Sequence, residues 1–170
     1  MILGDVLQHA YVTNDIDEAC RVMGRRFGVN QFWRPNPQTM SLDDGSNVVL
    51  HNAHAWVGPI WLELIQPKGG ADALWREWLP TDRGFAMKFH HMGIHVETEK
   101  EMQSKLAEGQ ANGLKLALSL TVMGTMARYL DAREDLGHYL EYLYFPDPDT
   151  VRMPHMPQNV PGWPAPARPL

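Results

Sequence analysis

Phe89-His90-His91-Met92-Gly93-Ile94-His95-Val96 and Tyr139-Leu140-Glu141-Tyr142-Leu143 decide how this chain is read, with Glu141 standing 50 positions after His91. Both stretches are apolar and β-prone, so a charge or an imidazole inside them is hard to hide. An earlier pair repeats the arrangement. His9 sits in Leu7-Gln8-His9-Ala10-Tyr11-Val12, and Glu63 follows 54 positions on in Trp61-Leu62-Glu63-Leu64-Ile65. Two imidazoles and two carboxylates brought together make a divalent-metal site. Strand alternation puts Tyr139, Glu141 and Leu143 on one face, and likewise Trp61, Glu63 and Ile65. A glutamate buried among such neighbours is costly unless it is paired or metal-bound. The competing reading pairs one or both glutamates with Arg128 or Arg133 in a structural salt bridge, which leaves the repeated histidines unexplained.

Working outward, Leu7 to Thr13 reads as a strand. Asp15 caps a following helix, with Glu18 three residues on and Ile16, Ala19, Cys20, Met23 and Phe27 on one face. Gly28 is its expected stop. A loop containing Pro35 and Pro37 leads to a strand from Ser46 to His51. Gly58-Pro59 turns the chain into the Ile60–Ile65 strand, and Ala71 to Leu79 suits a short helix halted by Pro80. The same order then recurs. Phe89 to Val96 is a strand, Thr98 with Glu101 forms a capping box for a helix from Glu99 to Glu108, and Gly109 and Gly113 end it. Leu114–Thr121, Thr125–Leu130 and His138–Phe145 read as three strands. A repeat of this length indicates a duplicated module. The expected organisation is one domain, residues 1–146, of two modules (about 5–67 and 88–146) joined by a short helical linker. Residues 147–170 form a proline-rich tail that carries no identifiable chemistry.

Composition narrows the function. The chain has 170 residues, 44% hydrophobic and 21% charged, which is ordinary for a globular protein with one well-buried core. A net charge of −5 leaves no basic stripe to neutralise phosphates, so a nucleic-acid role is not expected. No membrane span and no secretory signal is visible. Cys20 is the single cysteine, so no intrachain disulfide can form. It reads as a buried small hydrophobe, and the cytoplasm is the expected setting.

Four pieces in order carry a resemblance: Gln8-His9-Ala10-Tyr11-Val12 followed by Asp15, Trp61-Leu62-Glu63-Leu64-Ile65-Gln66-Pro67, His90-His91-Met92-Gly93-Ile94-His95-Val96, and Gly137-His138-Tyr139-Leu140-Glu141. Over residues 5 to 146 the pattern resembles the vicinal oxygen chelate superfamily, which includes glyoxalase I, methylmalonyl-CoA epimerase, extradiol dioxygenases and bleomycin-resistance proteins. The stretch from Pro67 through Trp75 and Trp78 to His91 looks more like the epimerase than like glyoxalase I. The resemblance implies an α+β fold, paired βαβββ modules forming an open, cup-shaped mixed sheet around a metal. His9, Glu63, His91 and Glu141 correspond to the ligand positions. The closing turn, Arg133-Glu134-Asp135-Leu136-Gly137, departs from the common Asp-Pro-Asp-Gly.

Such a donor set suits one divalent transition metal (Fe, Co, Ni, Mn or Zn) with one or two positions left for substrate oxygens. The expected chemistry is that of an isomerase, epimerase or lyase acting next to a carbonyl through a metal-stabilised enolate. Glu141 and Glu63 are the candidate proton shuttles, and His95, two residues beyond His91, is expected in the same cup as a substrate-contacting group. His90 should face the other way, while the parity of His51 and His54 is open. The runner-up is a small Fe(II) ring-cleaving dioxygenase, which Glu63 as a fourth ligand would disfavour. A metal-free small-molecule binding or resistance protein is the reading from a different class. The expected partners are a small-molecule substrate and a second copy of the chain in a homodimer.

Overall fold

Two half-chains run through the same series of elements. The first comprises β1 (Asp5–Thr13), α1 (Ile16–Phe27), β2 (Gln38–Ser41), β3 (Asn47–Val57) and β4 (Ile60–Gly70). A one-turn α2 (Ala73–Arg76) leads to β5 (Met87–Val96), α3 (Glu99–Ala111), β6 (Lys115–Val122), β7 (Thr125–Ala132), a second one-turn helix α4 (Arg133–Leu136) and β8 (His138–Tyr144). The computed structural model describes residues 1–82, 84–122, 124–147 and 156–163. Among these, no helix is long and apolar enough to cross a membrane.

The local signals act where the residues place them. Asp15 accepts from the Glu18 amide at the start of α1, and Thr98 accepts from the Glu101 amide at the start of α3. Gly28 ends α1 with φ 77°, a left-handed conformation that an L side chain rarely adopts. The first half's remaining middle strand is β2, which follows the proline-containing loop and is held by pairing with residues 47–50 of β3. Two expectations are corrected. The linker helix is shorter than Ala71–Leu79, because Asp72 forms an ion pair with Arg76 and provides no side-chain cap. Gly109 lies inside α3, not at its end. A Cβ there would stand 2.3 Å from Leu130 Cδ1, so the glycine allows helix and sheet to approach closely.

All eight strands form one mixed sheet in the order β2-β3-β4-β1-β5-β8-β7-β6. Each half is a four-stranded piece whose first strand lies parallel to its last, and the halves join where β1 runs antiparallel to β5. The outer edges curl toward each other. Leu42 of the β2–β3 turn bridges Leu120 of β6, and the Asp43 amide donates to Ser119 O at 3.0 Å. The result is a nearly closed cup.

Alternation sends residues to two layers. Trp61, Ile65, Tyr139 and Leu143 pack inside the cup. Leu62 and Leu64 face outward under α1, against Ile16, Ala19 and Met23, while Leu140 and Tyr142 face outward under α3, against Met102 and Leu106. Covered on both faces, β4 and β8 read as near-continuous apolar runs, and a carboxylate within them lies in a doubly covered layer. From the proline-rich tail, residues 156–159 run along the edge of β3. The Trp56 amide donates to Pro157 O and the Asn159 amide to Trp56 O, both at 2.9 Å, and Met156 is buried in the inner cluster. That covers a strand edge otherwise open to pairing.

Candidate active site

Inside the cup, β1, β4, β5 and β8 bring together Gln8, Glu63, His91 and Glu141. His91 Nε2 lies 3.1 Å from Glu141 Oε2, 3.3 Å from Gln8 Oε1 and 3.7 Å from Glu63 Oε2, and Gln8 Nε2 donates to Glu63 Oε2 at 3.0 Å. Symmetric ladders explain the meeting. Gln8 stands opposite Trp61, two residues before Glu63, and His91 stands opposite Tyr139, two residues before Glu141. Gly93 of β5 faces Gln8, and a Cβ at that glycine would come within 2.7 Å of the Gln8 side chain. Its missing side chain makes room for the amide.

The expected set is thus corrected at one position. Gln8 is in the cluster and His9 is on the opposite face of β1, lining an outer apolar pocket with Tyr11, Met23 and Phe27 and packing edge-on to Phe89. Burial and the nearby His138 lower its pKa there. Ala10 and Val12 pack into the inner cluster, so Gln8, two residues before Ala10, shares their face. A signal in the sequence could have found it. His91 precedes the α3 cap Thr98 by seven residues, and seven residues before the α1 cap Asp15 stands Gln8, not His9.

His95 is buried, but its ring stacks on Phe145 at 6.0 Å and it is not among the residues lining the cavity, whereas Phe145 is. His51 is half-buried, and its pKa is lowered by burial and by Arg34. His54 does line the cavity. Its Nδ1 accepts from Trp61 Nε1 at 3.1 Å, which leaves Nε2 to carry the proton of the neutral ring.

His90 was expected to face away, yet a bulge turns it inward. Ala10 pairs with His91 and Tyr11 with Phe89, so His90 is the extra residue in β5. The bulge re-aims its neighbours: Phe89 goes to the outer face beside His9 and Tyr11, and His90 packs against Trp75 and Tyr139. His90 Nε2 lies 3.0 Å from Leu74 O, which only accepts, so Nε2 bears the hydrogen. Burial first, then His91, hold the His90 pKa well below its ordinary value, so the ring is neutral and its Nδ1 is an acceptor. That nitrogen is 2.7 Å from His91 Nδ1, which must therefore donate. With Nδ1 carrying that hydrogen, Nε2 is the nitrogen left to face the carboxylates, and it is the one His91 would offer to a metal ion.

The two carboxylates differ. Glu63 is held by Gln8 on one oxygen and by Asn52 Nδ2, at 3.0 Å, on the other. Its pKa is raised well above the usual range, first by burial and then by Glu141. Glu141 interacts with the Tyr129 hydroxyl, whose pKa is raised well above its ordinary value by burial and by both carboxylates. Glu141 Oε2 is buried without a hydrogen-bond donor, since its approach to His91 lacks hydrogen-bond geometry. Asn52 Oδ1 is likewise buried and unsatisfied. Two buried carboxylates, one with an orphaned oxygen, facing an imidazole lone pair, fit a divalent cation. Donors bound to one ion at about 2.1 Å stand roughly 3.0–3.4 Å apart, close to the separations here. Among the described residues no three His, Cys, Asp or Glu donors already surround a common point. The Gln8 amide lies between His91 and Glu63 and closes the cluster by direct contact.

No family model matches the chain, and no curated protein matches it. Solved structures do. A variant of Streptomyces coelicolor methylmalonyl-CoA epimerase in complex with 2-nitronate-propionyl-CoA superposes with a TM-score of 0.58 at 14% identity, covering 85% of this chain and 99% of that one. A methylmalonyl-CoA epimerase in complex with methylmalonyl-CoA and NH4+ gives 0.57 at 14% identity over 85% and 96%. The epimerase of Mycobacterium tuberculosis gives 0.54 at 11% identity over 86% and 91%. At these identities the likeness is one of fold: the chain shares the architecture of the methylmalonyl-CoA epimerases.

Proposed function

We propose that this chain is a divalent-metal-dependent enzyme that moves a proton on the carbon next to a carbonyl, as an isomerase or epimerase, or as a lyase. The observation that carries the reading is the convergence of His91, Glu141, Glu63 and Gln8 on the floor of an apolar cup, with Glu141 Oε2 left without a donor. Those four side chains would hold the ion. Bound there, it would act as a Lewis acid that polarises a substrate carbonyl and offsets the negative charge that builds on its oxygen.

The chain's own groups divide the remaining work. Glu63, clamped by two amides, is built to stay in place and supply charge. Glu141 Oε2 has no protein donor to give up, so Glu141 is the ligand carboxylate that could loosen from the ion, accept a proton from a substrate carbon and return it. Tyr129 steadies the Glu141 carboxylate. His90 holds the His91 ring in its tautomer. The tryptophans around the cluster exclude water, which strengthens each of these interactions. Glu63 faces the cluster, which favours a four-donor site over the three-donor site of a ring-cleaving dioxygenase.

Solvent exchange tests the proposal. Protein loaded with Co(II) or Mn(II) should exchange the α-hydrogen of a carbonyl substrate for deuterium from D2O under anaerobic conditions. Oxygen uptake in step with substrate loss would move the chain to dioxygenase chemistry.

A further inference from the structure

The walls of the cup carry information about the substrate that the donor cluster does not. Above the cluster lies a cavity of about 170 Å3. For scale, a cavity near 150 Å3 holds a benzene ring. Trp33, Trp61, Trp75, Tyr129 and Phe145 bring aromatic rings to a lining that also holds aliphatic side chains such as Leu50, Ile65, Leu120 and Leu143, and Trp33 stacks on His54 with ring centroids 5.3 Å apart. Among the described residues no lysine or arginine lines it, and its charged lining groups are Glu63 and Glu141. Arg128, a buried cation between the lining residues Ala127 and Tyr129, is already engaged. Its Nη1 donates to Leu120 O and Ala127 O, at 2.6 and 2.9 Å, and its Nη2 lies 3.0 Å from Asp43.

From this chemistry we infer that the substrate is an uncharged carbonyl compound whose buried body is a single flat ring, with its oxygens toward Gln8, Glu63, His91 and Glu141. A divalent ion would balance the two carboxylates and leave no surplus positive charge for an anion. A carboxylate or phosphate on the far side of the substrate would enter an apolar wall with no lysine or arginine among the described lining residues to meet it. The aromatic faces within that lining offer a ring stacking and edge contacts that a branched acyl chain cannot use. The inference rests on the enzymatic reading above and departs from the thioester ligands bound to the structural neighbours.

The test uses the tryptophans as reporters, with three probes titrated into the protein as purified. They are 2-hydroxyacetophenone, the same molecule with a para-carboxylate, and propionyl-CoA. The neutral ketone should quench the fluorescence saturably, at least about tenfold more tightly than the para-carboxylate or the thioester. Val122 sits partly exposed on the lining, so Val122→Lys should narrow or reverse the gap between ketone and carboxylate. Equal or tighter binding of either charged probe, or no saturable binding of the ketone, overturns the inference. Deuterium exchange on the same probes keeps the two proposals apart. Binding of the ketone without exchange upholds the substrate class and counts against enolate chemistry, whereas exchange on the thioester alone does the reverse.

Discussion

The two halves of the cup share one ladder and differ in what they place on it. In the first half Gln8 and Glu63 hydrogen-bond each other, and Asn52 completes the clamp. In the second half His91 has its tautomer set from behind by His90, and Glu141 keeps an oxygen free. A duplicated scaffold supplies equivalent positions, but equal positions need not do equal work. On the proposed function, one half would hold the ion and the other would carry the proton.

Exchanging each carboxylate for its amide should break this comparison most sharply. Glu141→Gln is expected to slow solvent exchange by about 10²- to 10⁴-fold, the usual worth of a general base, with substrate binding little changed. Glu63→Gln should keep most of the proton-transfer rate and act mainly through weaker metal retention. Equal losses of rate in the two variants would show that the halves share the chemistry.

His90→Phe should lower metal affinity by about 10- to 100-fold while the fold persists, as loss of a group that orients a ligand does. Unchanged affinity would remove His90 from the account of the second half. The same variant sharpens the pH behaviour. Because the folded pKa of His90 is depressed, the unfolded chain takes up that proton first, so metal-free stability falls as pH drops below about 6.5. Glu63 has the opposite sign. Its folded pKa is raised, so the folded chain gains a proton at a pH above the ordinary value of 4.5, and acid relieves a cost there. Urea unfolding of His90→Phe should therefore lack part of the acid loss, by at most about 1.4 kcal/mol per pH unit.

The caps make the smallest comparison. Asp15→Ala and Thr98→Ala should each cost about 1 kcal/mol in urea unfolding, since each removes one acceptor from a helix start. A large difference between them would mean the two helices are not held in equivalent ways.

Much of this arrangement was legible in the residues. The helix caps, the inward faces of β4 and β8, and the duplicated order follow from local chemistry and from period-two alternation. β2 was hard to see because its pairing with β3, not its own composition, holds it in the sheet. His9 was the natural choice in β1, since an imidazole is a better ligand than an amide. Alternation says only that Gln8 and His9 face opposite ways; which way is inward is decided by Ala10 and Val12 packing inside the cup. His90 was misplaced for another reason. A bulge breaks alternation, and its extra residue is visible only once β1 and β5 are paired.

Metal content on the purified chain and its variants tests the site most directly. Elemental analysis after loading and desalting should find one divalent metal per chain, lost in His91→Ala and Glu141→Ala and retained in His9→Ala. Full occupancy in both of the first two variants, or loss of metal on removing His9, would contradict the assignment of the cup's floor to Gln8, Glu63, His91 and Glu141.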